Sequence, residues 1–186
     1  MTGEWIDTTI GEQSTLQRGI DITKAEQRSG TVPVISSVGL SSYHDTPAAS
    51  GPDVVLGHKG VVGSVYFVAS AYWPHDTTLW VKDFHGNDRR FVYNFFKWMA
   101  PQIAGMDVGS ANPTLNRNHI HDLPTLMPPT DLIFAFDVTA MGLLRRLRIN
   151  DDDSRTLSAL RDALLPKLIS GELRVTDTSK RMEAAL

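Results

Sequence analysis

The sequence contains no cysteine among its 186 residues. Disulfide bonds, thiolate zinc sites and iron–sulfur ligation by this chain are therefore excluded. Apolar runs approaching the roughly 18 residues of a membrane span are also missing. The start of the chain, Met1–Trp5, lacks the basic and then apolar character of a signal peptide. These absences predict a chain that works in the cytoplasm, away from membranes.

Positive charge is not in excess either. The chain has 18 Lys and Arg residues against 21 Asp and Glu residues, a net charge of −3. Residues 1–130 carry 9 basic and 12 acidic side chains, and residues 131–186 carry 9 of each. Such a balance argues against general coating of a polyanion, so any contact with nucleic acid must come from a local basic patch.

Proline is scarce in the C-terminal part: nine of the ten prolines precede residue 130, and Pro166 alone follows. Because proline interrupts helices and marks turns, the first part is predicted to contain short strands, loops and brief helices, and the second to be helical. β-branched and aromatic residues between turn residues predict four strands, at Val32–Ser37, Val54–Leu56, Ser64–Ala69 and Thr77–Lys82.

One helix is predicted within the first part, over Asp88–Ala100. Asn87 or Asp88 is placed to cap its start, and Pro101 is expected to end it. Its spacing puts four large apolar side chains on one face, namely Phe91, Phe95, Trp98 and Met99.

From Asp131 onward the alternating four-and-three spacing of a coiled-coil seam appears. A helix over 131–170 would be about 60 Å long at 1.5 Å per residue and would need a partner helix. The alternative is two shorter helices broken at Asn150–Asp153 and folded back. Ser170–Gly171 is expected to end the helix, and Thr176–Leu186 to form a polar tail. The seam consists of Phe136, Ala140, Leu143, Leu147, Asn150, Ser154, Leu157, Arg161, Leu164 and Leu168.

Catalytic and metal-binding patterns are weak in this sequence. None of the histidines forms the helical i, i+4 pair of a zincin, and the G-x-S-x-G elbow of a hydrolase is missing. His119 and His121 are interpreted as a turn-stabilising pair on an extended segment, and His75–Asp76 as a loop-capping motif. We therefore predict neither a metal site nor a catalytic residue.

The glycine-bounded stretch Gly57–Ser64 differs from a P-loop, because its lysine precedes the glycines and a strand follows. A turn that carries His58 and Lys59 can nevertheless bring main-chain amides and one cation near a phosphate oxygen. The alternative is a plain hairpin turn with a solvated lysine.

Arginine and amide side chains cluster at two further places. Arg and Asn pair bidentately with guanine and adenine edges, although surface loops use the same residues for turns. The first cluster holds Arg89 and Arg90 with Lys97, and the second holds Asn112, Asn116, Arg117 and Asn118.

Five motifs, in the same order along the chain, resemble those of the specificity subunits of type I restriction-modification systems. Gly51–Gly63 is similar to the "pGDi-i-rkG--G" element of their target-recognition domains. The other four are a strand at Trp73–Val81, a closing loop at Gly109–Arg117, an exit segment at Leu123–Pro129 and a C-terminal signature at Leu157–Leu173.

The resemblance implies a mixed α+β fold: a small globular target-recognition domain of short strands and brief helices, then one long helix that pairs as a coiled coil. It implies DNA recognition by residues 1–130, dimerisation, spacing and methyltransferase docking by residues 131–175, and a flexible tail at 176–186. Implied DNA-binding residues are His58, Lys59, Arg89, Arg90, Asn112, Asn116, Arg117 and Asn118; implied dimerisation residues are Phe136, Leu143, Leu147, Leu157, Leu164 and Leu168.

Family members are non-catalytic and tell a methyltransferase and a translocating nuclease which sequence to act on. The implied partners are double-stranded DNA, a methyltransferase subunit and a restriction subunit. S-adenosylmethionine, ATP and magnesium are expected on those subunits, with no cofactor on this chain.

A typical member has two recognition domains, each reading half of a bipartite site, whereas this chain has one. It also has Thr130–Asp131 where the family often has a Glu-Gln pair. The resemblance therefore implies either a half-subunit that dimerises through the helix or the C-terminal half of a split or phase-variable gene product.

Two rival functions stay open. A DNA-modifying enzyme would need a carboxylate–lysine metal cluster, or a glycine-rich cofactor loop with a proline-pair tetrapeptide ending in an aromatic residue; Met127–Thr130 lacks that residue. A structural coiled-coil adaptor, or a truncated regulatory fragment, would not bind DNA independently.

Overall fold

The computed structural model describes residues 3–106 and 114–173, except the side chains of Leu144, Leu147, Arg148 and Asp151. The chain divides into two compact units, Met1–Asp137 and Val138–Leu186. The strands are β1 (Ile6–Thr9), β2 (Thr15–Arg18), β3 (Val32–Ser36), β4 (Gly39–His44), β5 (Asp53–Gly57), β6 (Val65–Val68), β7 (Trp73–Pro74), β8 (Thr78–Asp83) and β9 (Pro124–Met127). The helices are α1 (Ile10–Gln13), α2 (Arg89–Ala104), α3 (Arg117–His121) and α4 (Thr130–Ile169).

Within the described residues the strands form three small sheets. The largest has the order β2-β8-β5-β6 with every pair antiparallel, the second has the order β4-β3-β7, and the third pairs β1 with β9. The four strands predicted from sequence are present as β3, β5, β6 and β8. Mixed small sheets followed by one long helix confirm the predicted α+β class.

The main core lies between α2 and the four-stranded sheet. Val92, Phe96, Met99 and Ile103 of α2 are buried with Leu56, Leu79 and Val81 of the sheet. Of the four side chains that the spacing places on one face, Met99 is buried, Phe91 and Phe95 are partly buried against the core, and Trp98 is 74% exposed. Both faces are rich in apolar residues, so helical spacing alone did not select the face that contacts the sheet.

Helix α2 begins as predicted but ends later. The Asp88 carboxylate accepts hydrogen bonds from the main-chain N–H groups of Arg90 and Phe91, at 2.8 and 3.0 Å. The predicted end before Pro101 was wrong, because the helix continues to Ala104. Proline costs the helix a hydrogen bond, but the extra turn buries Ile103 completely in the core and so offsets that loss.

The described part of the second unit is mostly helical. Helix α4 is continuous through Asn150–Asp153, so the alternative of two helices broken there was wrong. Aspartate and asparagine cost an interior helical position only about 0.7 kcal/mol each, which neighbouring turns tolerate. After the helix, Gly171 has φ +76° and donates a hydrogen bond to the Leu168 carbonyl at 3.3 Å. Glycine adopts this left-handed conformation easily, which confirms the predicted stop.

The large apolar side chains of the α4 seam are exposed wherever the structure describes them. Phe136, Leu143, Leu157, Leu164 and Leu168 have exposed fractions between 43% and 65%. The side chain of Leu147 and the tail at 176–186 lie outside the described part of the chain. The division of roles among residues 1–130, 131–175 and 176–186 stays a prediction.

Candidate functional site

A shallow cleft opens where β5 ends and the chain turns toward Lys59. Its volume is about 470 Å³. Four residues predicted from sequence line it, and Arg18 joins them from the end of β2. The lining residues are Arg18, His58, Leu79, Thr114, Leu115, Asn116, Arg117 and Asn118.

The loops around the cleft are joined through His58. The His58 ring is only 5% exposed, with its nitrogens 2.9 Å from the Asp76 carbonyl oxygen and 3.3 Å from that of Leu115. The Leu115 N–H donates to the His58 carbonyl at 2.8 Å, and Lys59 forms a β-bridge with Thr114. The ring therefore holds two loops together, and its burial disfavours the predicted direct DNA contact. Lys59, next along the chain, has an exposed side chain.

The segment after the cleft loop is helical. The Asn116 side chain caps α3 by accepting a hydrogen bond from the Asn118 N–H at 2.9 Å, and Ile120 anchors the helix in the core. The extended interpretation of His119 and His121 was therefore wrong. Nε2 of His121 accepts the main-chain N–H of Leu16 at 2.9 Å. Burial, then the charge of Arg117, lowers the pKa of His121, consistent with a neutral ring that accepts this bond.

Two exposed cations at the cleft share one carboxylate. Oδ2 of Asp76 lies 3.4 Å from the Arg18 guanidinium and 4.0 Å from the Lys59 ammonium. Its other oxygen, Oδ1, lies 2.9 Å from Nδ1 of His75. Loop capping by the His75–Asp76 motif is consistent with the 3.4 Å hydrogen bond that the Thr77 main-chain N–H donates to Nδ1 of His75. Asp76 thus lies at the centre of a charged cluster.

The other predicted arginines lie at the opposite end of β5. Arg89 and Arg90 border a second shallow cleft with Pro52 and Phe67. The Arg89 guanidinium lies 4.9 Å from the centre of the Phe84 ring, and Arg90 lies 3.8 Å from Asp137. At about 3.3 Å per residue, the two ends of the five-residue strand β5 are about 13 Å apart. The structure therefore separates the predicted DNA-binding residues into two groups.

Sequence reasoning missed Arg18. This residue ends β2 and pairs with Leu79 of β8, which in turn pairs with Leu56 of β5. This strand register brings Arg18 beside Lys59. The sequence around Arg18 contains no motif that would predict a role in binding. Asn112, another predicted DNA contact, lies outside the described residues.

Among the described residues, one group of three side chains has ligand atoms close enough together to hold a metal ion. Ligand atoms of Asp21, His75 and Asp76 lie within 4.8 Å of one another. Asp76 is already paired with two cations there, which lowers its value as a metal ligand. The expectation that the chain binds no metal stays a prediction.

Within the described part of the chain, no helix is both long and apolar enough to cross a membrane.

The motif Gly51–Asp53 carries a buried acid. Asp53 is buried at the start of β5, and its Oδ2 accepts a hydrogen bond from the Tyr72 hydroxyl at 3.2 Å. Burial raises the pKa of Asp53 above its usual 3.8, and this exceeds the opposing effects of the Tyr72 hydrogen bond and the Arg89 charge. The folded state therefore holds the proton more tightly than the unfolded state does.

This shift predicts an unusual pH dependence for Asp53→Asn. A carboxyl group whose pKa is raised on folding stabilises the folded state when the pH is below its unfolded pKa of 3.8. This stabilisation is lost as the pH rises through the folded pKa. The variant cannot ionise, so its free energy of unfolding should rise relative to the natural protein as the pH increases from below 3.8 through the folded pKa. Urea unfolding across that range measures the difference. Asp45→Asn is the control with the opposite slope, because hydrogen bonds from Thr46 and Arg28 lower the pKa of Asp45. Parallel curves for Asp53→Asn and the natural protein would contradict the prediction.

The small sheets, the capped helix α2 and the long helix α4 together have the fold of specificity subunits from type I restriction-modification systems. The S subunit from M. genitalium matches with a TM-score of 0.79 at 18% identity, over 90% of this chain and 46% of that one. The HsdS subunit from Thermoanaerobacter tengcongensis matches with a TM-score of 0.57 at 14% identity, over 91% and 46%. These similarities confirm the fold implied by the motifs.

One curated protein agrees at the level of sequence. The type I restriction enzyme MjaIX specificity subunit of Methanocaldococcus jannaschii is 30% identical over 87 residues, which cover 47% of this chain and 20% of that subunit. No protein-family model matches. The resemblance inferred from the five motifs is thus confirmed. This chain spans about half the length of the two solved subunits. Its sequence match to the M. jannaschii subunit covers a fifth of that protein.

Proposed function

We propose that this chain recognises a DNA sequence as the specificity component of a type I restriction-modification complex, with one recognition domain per chain. The observation that carries the proposal is the cleft, which is lined by Arg18, Asn116, Arg117 and Asn118. Lys59 lies beside it, near Arg18 across the Asp76 carboxylate. Lysine and arginine bind phosphates, and arginine and asparagine read base edges. A rigid support under such loops is typical of recognition surfaces.

The chain has no catalytic role in this proposal. Methylation and cleavage belong to the methyltransferase and restriction subunits, which also bind S-adenosylmethionine, ATP and magnesium. The acidic balance of residues 1–130, 9 basic against 12 acidic side chains, supports weak DNA binding by the chain alone. Because phosphate contacts dominate DNA affinity, the partner subunits supply most of it.

The exposed seam of α4 supports pairing with another helix. Several large apolar side chains in one stripe are costly to leave in water. A second copy of α4 offers the same stripe, so a two-fold symmetric pair buries both. Two identical recognition domains related by that axis would read the same half-site twice, and the DNA site would be a bipartite palindrome.

Reconstitution with the methyltransferase subunit tests the proposed function. We expect the assembled complex to methylate adenine at one bipartite palindromic site, as mapped by sequencing of methylated bases. An asymmetric site would mean that the second helix belongs to a different half-subunit. DNA methylation or cleavage by the isolated chain would overturn the non-catalytic role, and a complex that neither binds nor methylates DNA would favour a structural adaptor.

Alanine at Lys59 and at Arg117 should weaken DNA binding by the complex. If Lys59 contacts a phosphate, its loss lowers affinity for every sequence and reduces the salt slope by about one unit. If Arg117 pairs with a guanine, its loss costs about 1–3 kcal/mol and relaxes the preference at one base pair. Fluorescence anisotropy at several salt concentrations measures both. Arg28→Ala, at the far end of the β3–β4 hairpin, is the matched control, and variants that behave like it would place the DNA surface elsewhere.

A further inference from the structure

The carboxylate of Asp76 lies between two of the cations that the proposed function assigns to DNA. Asp76 is 18% exposed, whereas Arg18 is 62% and Lys59 38% exposed at the side chain. Both cations face the same oxygen, at 3.4 and 4.0 Å. These distances exceed those of a tight charge-assisted hydrogen bond, so a phosphate could replace the carboxylate as their partner.

We infer that Asp76 restrains phosphate binding by holding Arg18 and Lys59 in an ion-pair cluster that DNA must open. This inference rests on the proposed function and adds a role for a residue that does not itself contact DNA. Each cation that moves to a phosphate loses part of its attraction to Asp76, so net affinity is lower than two free cations would give.

The surroundings of Asp76 favour this role over a purely structural one. The main chain of residue 76 helps to hold the loop, because its carbonyl oxygen lies 2.9 Å from the His58 ring. Nδ1 of His75 lies 2.9 Å from the second carboxylate oxygen, and the exposed Asp21 adds another negative charge beside these two residues. Removal of the Asp76 charge should therefore free the cations and leave the loops in place.

Asp76→Asn in the full chain, assembled with the methyltransferase subunit, is the test. We expect affinity for a random-sequence duplex to rise roughly three- to tenfold, the combined size of two weak surface ion pairs. The salt slope should steepen by up to about one unit, because the natural carboxylate takes up a cation when DNA displaces its partners. Affinity for the mapped target should rise by the same factor, since phosphate contacts carry no sequence information.

A double-mutant comparison separates this effect from a general change in charge. The gain from Asp76→Asn should disappear when Arg18→Gln and Lys59→Gln are also present, because no cations are left to free. Asp45→Asn removes the same charge from the exposed Arg28–Asp45 pair and should change DNA affinity little. This pair lies about 17 Å along the β3–β4 hairpin from the turn at Ser37, whose N–H donates a hydrogen bond to Thr77, next to Asp76.

Several results would overturn the inference. One is unchanged or weaker DNA binding by a folded Asp76→Asn protein, and another is a gain that persists in the Arg18→Gln, Lys59→Gln background. If Asp76→Asn fails to fold, the carboxylate has a structural role and the inference is wrong. If any of these results is found and the natural complex still directs methylation, the proposed function remains intact. If the natural complex binds no DNA, both the inference about Asp76 and the proposed function are wrong.

Discussion

Phe96→Ala is expected to lower the free energy of unfolding of the first unit by about 3–5 kcal/mol. Phe96 is fully buried on α2, where it packs among the core residues of the four-stranded sheet. Its truncation removes apolar contacts and leaves a cavity that the sheet cannot fill. A typical domain has only about 5–15 kcal/mol of stability, so the change is a large share of the total. Urea denaturation followed by circular dichroism measures the loss.

Trp98→Ala is the matched control on the same helix. The Trp98 side chain is larger than that of Phe96, but it is 74% exposed, so its loss should change stability by at most about 0.5 kcal/mol. The pair of variants tests the observed face of α2 against the one that spacing alone suggested. Equal losses for both, or a greater loss for Trp98→Ala, would contradict the placement of the helix.

Leu143→Glu combined with Leu164→Glu is expected to convert a dimer of this chain into a monomer. Both leucines are exposed positions of the α4 seam, at 65% and 43%. Burial of a leucine contributes about 1.5–3 kcal/mol, and two substitutions in each of two chains remove four such contributions. The dissociation constant should therefore rise at least about a thousandfold. Analytical ultracentrifugation over a range of protein concentrations measures it.

The control for this experiment adds the same charge on another face of the helix. Thr156→Glu lies next to the seam residue Leu157 and outside the four-and-three pattern, so it should leave the dimer intact. Helix content should stay the same in all variants. A dimer that survives both leucine substitutions, or a natural chain that is monomeric, would contradict pairing through this seam.

Local chemistry in the sequence was enough to identify most of the regular elements. The strand segments, the Asp88 cap and the Gly171 stop depend on residues that are neighbours along the chain, and the structure confirms each of them. The long helix also followed from the sequence, because few prolines and a regular apolar stripe act within one segment. Even so, the sequence left open whether that helix breaks at Asn150–Asp153.

Tertiary structure decided the features that depend on distant residues meeting. The sheet selected Phe96 rather than Trp98 as core, and burial of Ile103 carried α2 past Pro101. Strand register brought Arg18 to Lys59 and Asp76, whereas Arg89 and Arg90 lie at the opposite end of strand β5, which is about 13 Å long. Amino-acid type and spacing determine what a segment can form and bind, but only its pairing with segments far along the chain determines which side chains share a surface.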